Sequence, residues 1–291
     1  MSQPEGQSTG QPQANKRDFE SSLVTDLKDE MTYGGYLRLD RLLSSQEPRS
    51  RPEHHDELLF IIQHQTTELW LKQVVHELSE ALTALSHDDV ETALKVLARV
   101  RQIQDVLYQQ WGVLETMTPS EYVQFRGVLG HASGFQSVQY RLVEFYLGNK
   151  DRRMIEVHRH DAEAARRLTE VLEQPDLYDA FLRFCSRRGL DVPADVLERD
   201  VSTSHTYDKR VTQMLLTVYR RPAEFWGCYE LGEKLMDLEE SLSLWRFRHM
   251  KVVARIIGFK SGTGGSSGVP FLQKMVSHTF FPELWQVRTE L

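Results

Sequence analysis

The spacing of apolar and polar residues along the chain predicts helices throughout. In HDELLFIIQHQTTELWLKQVVHEL, apolar residues recur at steps of three and four over Leu58–Leu78, which is the period of one face of an α-helix. A second helix is predicted over Val90–Leu114, where Asp88 or Asp89 can cap the first turn. No stretch has the strict alternation that is typical of a strand. The pattern therefore predicts an all-α fold.

Capping signals predict where later helices begin and end. The segment Thr118–Glu121 matches a capping box with proline at the first helical position, and Ser133 is expected to cap the next helix, FQSVQYRLVEFYLG. Shorter, more polar helices are expected over residues 150–220. The longest pattern follows Pro222 and ends at Gly258. Its 36 residues would span about 54 Å, so its apolar face needs a bundle or a neighbouring subunit to cover it.

The amino-terminal segment differs in composition from the rest of the chain. Residues 1–20 are rich in Gln, Ser, Gly and Pro and offer little apolar surface, so we expect a disordered tail. TYGGYLRLDRLL follows, and its paired glycines allow a tight turn between Tyr33 and Tyr36. For residues 21–291 the sequence predicts a single domain, built as an elaborated helical bundle.

Composition argues against several classes of protein. The net charge of −7 is unlike that of proteins that coat nucleic acids, whose affinity comes mainly from Lys and Arg. The cysteines, Cys185 and Cys228, form no CxxC motif, which argues against a disulfide scaffold, a zinc ribbon and a covalently attached c-type haem. The first residues lack the apolar core of a signal peptide, and no apolar run is long enough to span a membrane. We therefore expect a cytoplasmic protein with no membrane or nucleic-acid partner.

Two of the eleven histidines have an unusual context. HExxH and Glu-x-x-His motifs are absent from the sequence, which argues against zincin and di-iron bundle sites. His64 follows the apolar run FII, and His249 lies deep in the longest helical pattern, in LWRFRHMKVVARIIG. A neutral imidazole in an apolar pocket can ligate haem iron, which needs only one such residue. A core histidine is the commoner outcome, and spacing alone favours it.

A glycine-rich run and one arginine are the other candidates for chemistry. GFKSGTGGSSG, over Gly258–Gly268, matches neither a P-loop nor a dinucleotide-binding motif. It could close over a polar small molecule or be a plain surface linker. Arg126 lies close to Tyr122 and Phe125 and could bind a carboxylate through two parallel hydrogen bonds. A surface salt bridge is the commoner role of a helical arginine.

Six strings together resemble the tryptophan 2,3-dioxygenase family of haem enzymes. They are TYGGYLRLD, FIIQHQTTELWLK, WGVLETMTPSEYVQFR, SGFQSVQYR, LWRFRHM and GFKSGTGGSSG, and they occur in the family's order. Together with the residues between them, these strings cover most of the chain from Tyr33 to Arg288. One departure is Ala132, where the family often has a serine. This casts doubt on any role that needs a hydroxyl at that position, but Ser133 remains available.

The resemblance implies an all-α homotetramer with one haem b per subunit. It implies a dioxygenase that inserts both atoms of O₂ across the C2–C3 bond of the indole ring of L-tryptophan. The product would be N-formyl-L-kynurenine, the first intermediate of tryptophan catabolism by the kynurenine pathway. The motifs imply that His249 ligates the iron, that His64 lies against the indole N–H, and that Ser133 lies near the haem and the bound oxygen. Whether His64 removes a proton or only positions the ring stays open.

The same motifs imply further contacts to substrate and cofactor. Phe60 would pack on the indole, Tyr122 and Arg126 would hold the carboxylate, and Thr263 would take the ammonium group. Trp111 would lie near the haem edge. The remaining implied contacts come from the amino-terminal segment of a neighbouring subunit, which would complete the pocket with Tyr33, Tyr36 and Leu37.

Two other functions stay open on the sequence alone. The chain could be a haem-binding sensor or carrier that keeps His249 as a ligand and catalyses nothing. It could also be a helical scaffold with no cofactor. A visible spectrum separates the scaffold from the other two, since a ligated haem has an intense Soret band. A turnover assay with L-tryptophan and O₂ separates the carrier from the enzyme.

Overall fold

A computed structural model describes residues 19–291 of the chain, and all regular secondary structure in that range is helical. The all-α class is therefore confirmed. Residues 1–18 of the predicted tail lie outside the described residues. The helices are α1 (Tyr33–Leu37), α2 (Leu39–Leu42), α3 (His55–Ser86), α4 (Val90–Leu114), α5 (Pro119–Arg126), α6 (Val138–Tyr146), α7 (Arg153–Glu156), α8 (Ala162–Leu172), α9 (Leu177–Arg187), α10 (Ala194–Leu197), α11 (Lys209–Arg220), α12 (Trp226–Ile257), α13 (Val269–Val276) and α14 (Pro282–Glu290), with 3₁₀ turns at Gly127–Leu129 and Gly134–Gln136.

The chain divides into two compact units, Met1–Gln46 and Glu47–Leu291. The described part of the first unit carries the short helices α1 and α2. The turn predicted at the paired glycines is wrong, because Gly34 and Gly35 lie inside α1. The Thr32 hydroxyl accepts a hydrogen bond from the Gly35 N–H and so caps a helical turn there. The single domain predicted for residues 21–291 stays a prediction.

Three long helices form the centre of the second unit. α4 packs against both α3 and α12, and the interfaces are filled by apolar side chains such as Leu78, Leu97 and Leu235, each at most 1% exposed. Packing of this kind buries the apolar faces that no isolated helix could cover. Both α3 and α4 match the helices predicted from the apolar spacing. The shorter helices between residues 150 and 220 are also confirmed, as α7 to α11.

The longest predicted helix is present but starts later than expected. Phe225 is the N-cap of α12, because Glu224 and Phe225 donate their N–H groups back to the Arg221 carbonyl in a separate turn. The 32 residues of α12 span about 48 Å. The helix ends where predicted, since Gly258 adopts a φ of 64°, which favours glycine. No helix in the described range is both long enough and apolar enough to cross a bilayer.

Side-chain caps mark the starts of α5 and α6. The predicted capping box is confirmed at Thr118, whose hydroxyl accepts from the Glu121 N–H while the Glu121 carboxylate accepts from the Thr118 N–H. The prediction that Ser133 caps α6 is wrong. Ser133 caps the 3₁₀ turn at Gly134–Gln136, and Ser137 caps α6 by accepting from the Tyr140 N–H at 3.0 Å. The glycine after Ser133 does not favour a longer helix there.

Candidate functional site

Aromatic side chains from α3 and α5 form an apolar wall. Phe60 and His64 lie one turn apart on α3, with ring centroids 4.2 Å apart. The Phe60 ring also lies 5.8 Å from Tyr122 and 5.6 Å from Phe125 on α5, both of which are buried. Phe60 is the central member because it contacts all three other rings. A wall of this kind suits a flat apolar ligand.

His64 is held in one tautomer by its own helix. Its Nδ1–H donates to the Phe60 carbonyl oxygen at 2.7 Å. Burial lowers the pKa of His64, and the hydrogen bond to Phe60 opposes that shift only in part. The imidazole is therefore neutral at neutral pH, with the proton on Nδ1 and a lone pair on Nε2. This side chain can accept a hydrogen bond from a ligand N–H.

His249 lies on α12 between two tryptophans. Its imidazole stacks on the Trp111 ring of α4, with centroids 4.7 Å apart and planes 9° from parallel, and it lies 5.8 Å from the Trp245 ring. Burial, with a smaller effect of His64, lowers the pKa of His249 to about 4. Neither ring nitrogen has a hydrogen-bond partner among residues 19–291. The result is a neutral imidazole with ring nitrogens free to bind a ligand.

The two tryptophans beside His249 carry unused donors. The indole Nε1 atoms of Trp111 and Trp245 are buried and have no hydrogen-bond partner in the described part of the chain. Buried donors are normally paired, and an orphaned donor calls for an explanation such as a missing ligand or water. Residues 19–291 contain no group of three or more His, Cys, Asp or Glu side chains suited to a metal ion. A group that needs a single protein ligand fits the surroundings of His249 better than a bare metal ion does.

A buried polar network fixes α12 next to His249. The Arg246 guanidinium donates to Glu144 at 2.9 Å and to the Tyr140 hydroxyl at 2.8 Å, and both partners lie on α6. Burial and the Glu144 charge raise the pKa of Tyr140 to about 12. The Tyr140 ring in turn lies 5.6 Å from Trp245. These contacts limit how far α12 can rotate or shift at the position of His249.

Arg126 lines a cleft at the end of α5. Its Nη2 donates to the Ser261 carbonyl at 2.7 Å, while its buried Nε has no partner in the described chain. Burial raises the pKa of Tyr122, and the charge of Arg126 opposes this shift. The cleft has a volume of about 350 Å³ and includes Thr263 and Gly130 in its lining. No ion pair occupies Arg126 within residues 19–291, so the surface salt bridge considered above is not formed there.

The glycine-rich loop packs on the turn that precedes α6. The Thr263 hydroxyl donates to the Ala132 carbonyl at 2.6 Å. Gly264 lies so close to Ser133 that a Cβ atom on it would come within 2.7 Å of the Ser133 Cβ. Ser133 itself is half-buried, and its hydroxyl accepts from the Phe135 N–H at 3.3 Å. The loop thus has specific contacts, which a plain linker would not need.

The three predicted residues of the first unit have exposed side chains. Tyr33 is 78% exposed, Tyr36 is 76% exposed and Leu37 is 41% exposed. They lie together on α1, so the structure groups them on one short element. Their predicted contact with a neighbouring subunit stays a prediction.

Comparison with known proteins identifies the family. The family model described as tryptophan 2,3-dioxygenase matches residues 18–193 and 159–291. The chain belongs to the tryptophan 2,3-dioxygenase family. A tryptophan 2,3-dioxygenase of Kineococcus radiotolerans is 56% identical over 283 residues, which are 97% of this chain and 99% of that protein. Those of Saccharopolyspora erythraea and Rhodococcus jostii are 55% and 56% identical, over 95% and 96% of this chain and 99% and 98% of their own lengths.

Some neighbours of the site were not predicted from the family motifs. Trp245 lies one helical turn before His249, and that spacing could have revealed it. The backbone carbonyls of Ala132 and Ser261 now hold Thr263 and Arg126, but a carbonyl leaves no signal in a sequence. The close approach of Gly264 to Ser133 likewise depends on tertiary packing.

Proposed function

We propose that this chain opens the indole ring of L-tryptophan with O₂ to give N-formyl-L-kynurenine, and that haem b is its cofactor. Family membership supports the reaction. The proposal rests mainly on one feature of the site. His64 and His249, on different helices, both have neutral imidazoles. They lie close enough for one to lower the pKa of the other. One imidazole is suited to iron, and the other is suited to a substrate N–H.

The residues present fit a haem held through His249. A neutral imidazole without a hydrogen-bond partner could hold the iron of a haem, since a haem needs only one such protein residue. Trp111 and Trp245 offer flat apolar faces and unpartnered N–H donors at this position. We further propose that Trp111 lies near the haem edge and that Ser133 lies near the haem and the oxygen. When bound, the haem iron supplies the oxygen chemistry.

The wall of α3 and α5 is suited to the indole ring. Phe60 would pack on the indole, supported by Tyr122 and Phe125. The lone pair on Nε2 of His64 would accept the indole N–H hydrogen bond, since Nδ1 already donates to Phe60. Because His64 is neutral, it could also accept a proton at Nε2. Positioning the ring requires only the hydrogen bond, so either role is compatible with the tautomer.

Arg126 and Thr263 are suited to the amino-acid end of the substrate. The Nε of Arg126 is a buried donor without a partner, and a substrate carboxylate could take it together with Nη2 in place of the Ser261 carbonyl. Tyr122, whose pKa the charge of Arg126 lowers against the effect of burial, would join this contact. Thr263 can keep its donation to Ala132 and still accept a hydrogen bond from the ammonium group.

We propose a homotetramer in which the segment with Tyr33, Tyr36 and Leu37 completes a neighbour's pocket. The exposure of these apolar side chains supports the proposal, because apolar clusters left in water mark interaction sites. We also propose a cytoplasmic location without membrane or nucleic-acid partners. The free thiols of Cys185 and Cys228 are compatible with a reducing compartment.

A turnover assay on the ferrous protein tests the proposed reaction. The protein is reduced, L-tryptophan and O₂ are added, and formation of N-formyl-L-kynurenine is followed by its absorbance. His249→Ala is the matched control, and it should give no product above background. A Soret band without product would support a haem carrier instead. The absence of both, after reconstitution with haem, would support a scaffold.

A further inference from the structure

A second cavity lies away from the residues proposed to bind haem and tryptophan. It has a volume of about 310 Å³ and lies between the loop around His205 and the segment that joins α13 to α14. Its polar lining comes from Ser204, His205, Ser277, His278 and Thr279. No residue assigned above to the haem or the substrate takes part in it. A ligand bound here would therefore occupy a different site from the substrate.

Most of the polar groups of this cavity are unused. The hydroxyls of the exposed residues Ser277 and Thr279 and the ring nitrogens of the half-buried His278 make no hydrogen bond within residues 19–291. The Ser204 hydroxyl accepts from the Lys150 N–H at 3.0 Å, which leaves its own proton free to donate. Hydroxyls and an imidazole that face one cavity without protein partners are available to a small polar ligand.

Two buried carboxylates lie behind the lining. Asp176, beside Gly148, accepts from Arg199, and Glu283 lies beside His205. Glu283 is completely buried and accepts from the Tyr178 hydroxyl at 2.9 Å, from His205 Nε2 at 2.8 Å and from the Asp208 N–H at 2.6 Å. This leaves Nδ1 of His205 without a partner in the described chain. No Asp or Glu is among the residues that line the cavity. The lining is therefore rich in donors and lacks an anionic acceptor.

The ion pair of Arg246 and Glu144 lies behind one wall. The Arg246 guanidinium packs 5.0 Å from the ring of Phe280, a lining residue, and Phe280 stacks edge-on against His278. Burial and the Arg246 charge lower the pKa of His278 and the Glu144 charge opposes this, so the imidazole stays neutral and offers one N–H. A metal ion would find no carboxylate here and no set of three ligating side chains. An anion would find donors on several sides.

We propose that this cavity is a second ligand site, which binds a small oxyanion such as inorganic phosphate or a carboxylate. Phosphate and carboxylates share the feature that the site would recognise, which is negatively charged oxygen atoms that accept hydrogen bonds. Three hydroxyls and the His278 imidazole supply more donors than a single carboxylate can use, so we expect phosphate to bind more tightly than acetate.

A titration of the haem-loaded full chain tests the proposal. Sodium phosphate or sodium acetate is added in a zwitterionic buffer, with sodium chloride adjusted to keep the ionic strength constant. The unfolding midpoint and the heat of binding are measured. We expect a saturable rise in the midpoint with phosphate, since a ligand that binds only the folded state stabilises it. A rise with acetate as well would extend the site to carboxylates.

Variants of the lining separate this site from unspecific salt effects. Thr279→Val removes one hydroxyl at nearly constant volume, and His278→Phe removes the ring nitrogens while keeping a ring against Phe280. Each should weaken phosphate binding by at least about 10-fold, because each removes a hydrogen bond to a charged ligand. Thr206→Val is the matched control, since Thr206 is exposed on the same loop but does not line the cavity. The proposal is wrong if chloride alone reproduces the rise, or if both cavity variants bind phosphate like the parent.

Discussion

His249 differs from an ordinary core histidine in what it lacks. Core histidines usually use both ring nitrogens in hydrogen bonds, because an unpaired polar atom in the interior costs free energy. The His249 side chain is only half-buried, and its nitrogens have no such partner in the described chain. The imidazole stays neutral because burial lowers its pKa to about 4. The stacked Trp111 ring fixes the plane of the imidazole without using its nitrogens.

At this residue we predict that His249→Ala sharply lowers the haem content. The variant removes the side chain that we propose as the only protein ligand of the iron. The measurement is the Soret absorbance per mole of purified protein. His64→Ala is the control, and it should keep its haem while binding tryptophan less well. Full haem occupancy with an unchanged spectrum in His249→Ala would show that another residue is the ligand.

Arg126 allows a test of the substrate class. A guanidinium binds a carboxylate through two parallel hydrogen bonds, and a lysine ammonium cannot reproduce that geometry. One such bond is worth roughly 1.5–3 kcal/mol, so Arg126→Lys should lower kcat/KM for L-tryptophan by about 10- to 150-fold. Haem content should stay normal.

Tryptamine, which lacks the carboxylate, is the control substrate for Arg126→Lys. It should be turned over poorly by the parent protein and should be much less sensitive to the substitution than tryptophan is. An equal loss for both substrates would mean that Arg126 acts through packing, and the proposed contact to the carboxylate would be abandoned.

The sequence predicted which residues belong to the candidate site, but not the contacts that these residues make in the structure. The motifs predicted Arg126 and Thr263. In the structure each donates a hydrogen bond to a backbone carbonyl more than 100 residues away in sequence. Any residue type supplies such a carbonyl, so only the folded backbone determines the pairing. The stacking of Trp111 on His249 likewise depends on how α4 packs against α12, which no local pattern encodes.

At the scale of elements, most helices were predictable, whereas the helix at Tyr33–Leu37 and the start of α12 were not. The helices α3 and α4 have apolar faces that repeat over many turns, so their period outweighs any local exception. By contrast, one hydrogen bond from Gly35 to Thr32 makes the Tyr33–Leu37 segment helical despite its two glycines. The start of α12 depends in the same way on a turn at Arg221. Single contacts of this kind are too local to leave a periodic signal.

The glycine-rich loop provides a test at the same scale. We predict that Gly264→Ala raises the KM for L-tryptophan, because its Cβ would overlap Ser133 and push the loop outward. Overpacking costs about 1–3 kcal/mol, which corresponds to a rise of about 5- to 150-fold if the whole cost falls on the closed loop. Steady-state kinetics with a parallel haem measurement would detect it. Gly134→Ala is the control, since its Cβ would meet no atom within 4 Å. Equal effects of the two variants would contradict the steric explanation.

At the scale of the whole molecule, the amino-terminal segment can be tested by truncation. We predict that deleting residues 1–20 leaves turnover intact, because that stretch has few residues able to form a core. Deleting residues 1–40 should abolish turnover while much of the haem is retained, since Tyr33, Tyr36 and Leu37 are lost and His249 is not. Product formation and Soret absorbance are measured on each form. Near-normal turnover after the longer deletion would rule out the proposed contribution to a pocket.

The exposed apolar side chains of α1 have a further consequence if they complete a neighbour's pocket. A subunit that lacks residues 1–40 would keep an intact haem site, whereas a His249→Ala subunit would keep an intact α1. Each is expected to be inactive by itself. When both are assembled in one oligomer, the His249→Ala subunit could supply its α1 to the pocket of the truncated subunit, and part of the activity would return. Two defective genes of this kind would thus complement each other inside a single protein particle.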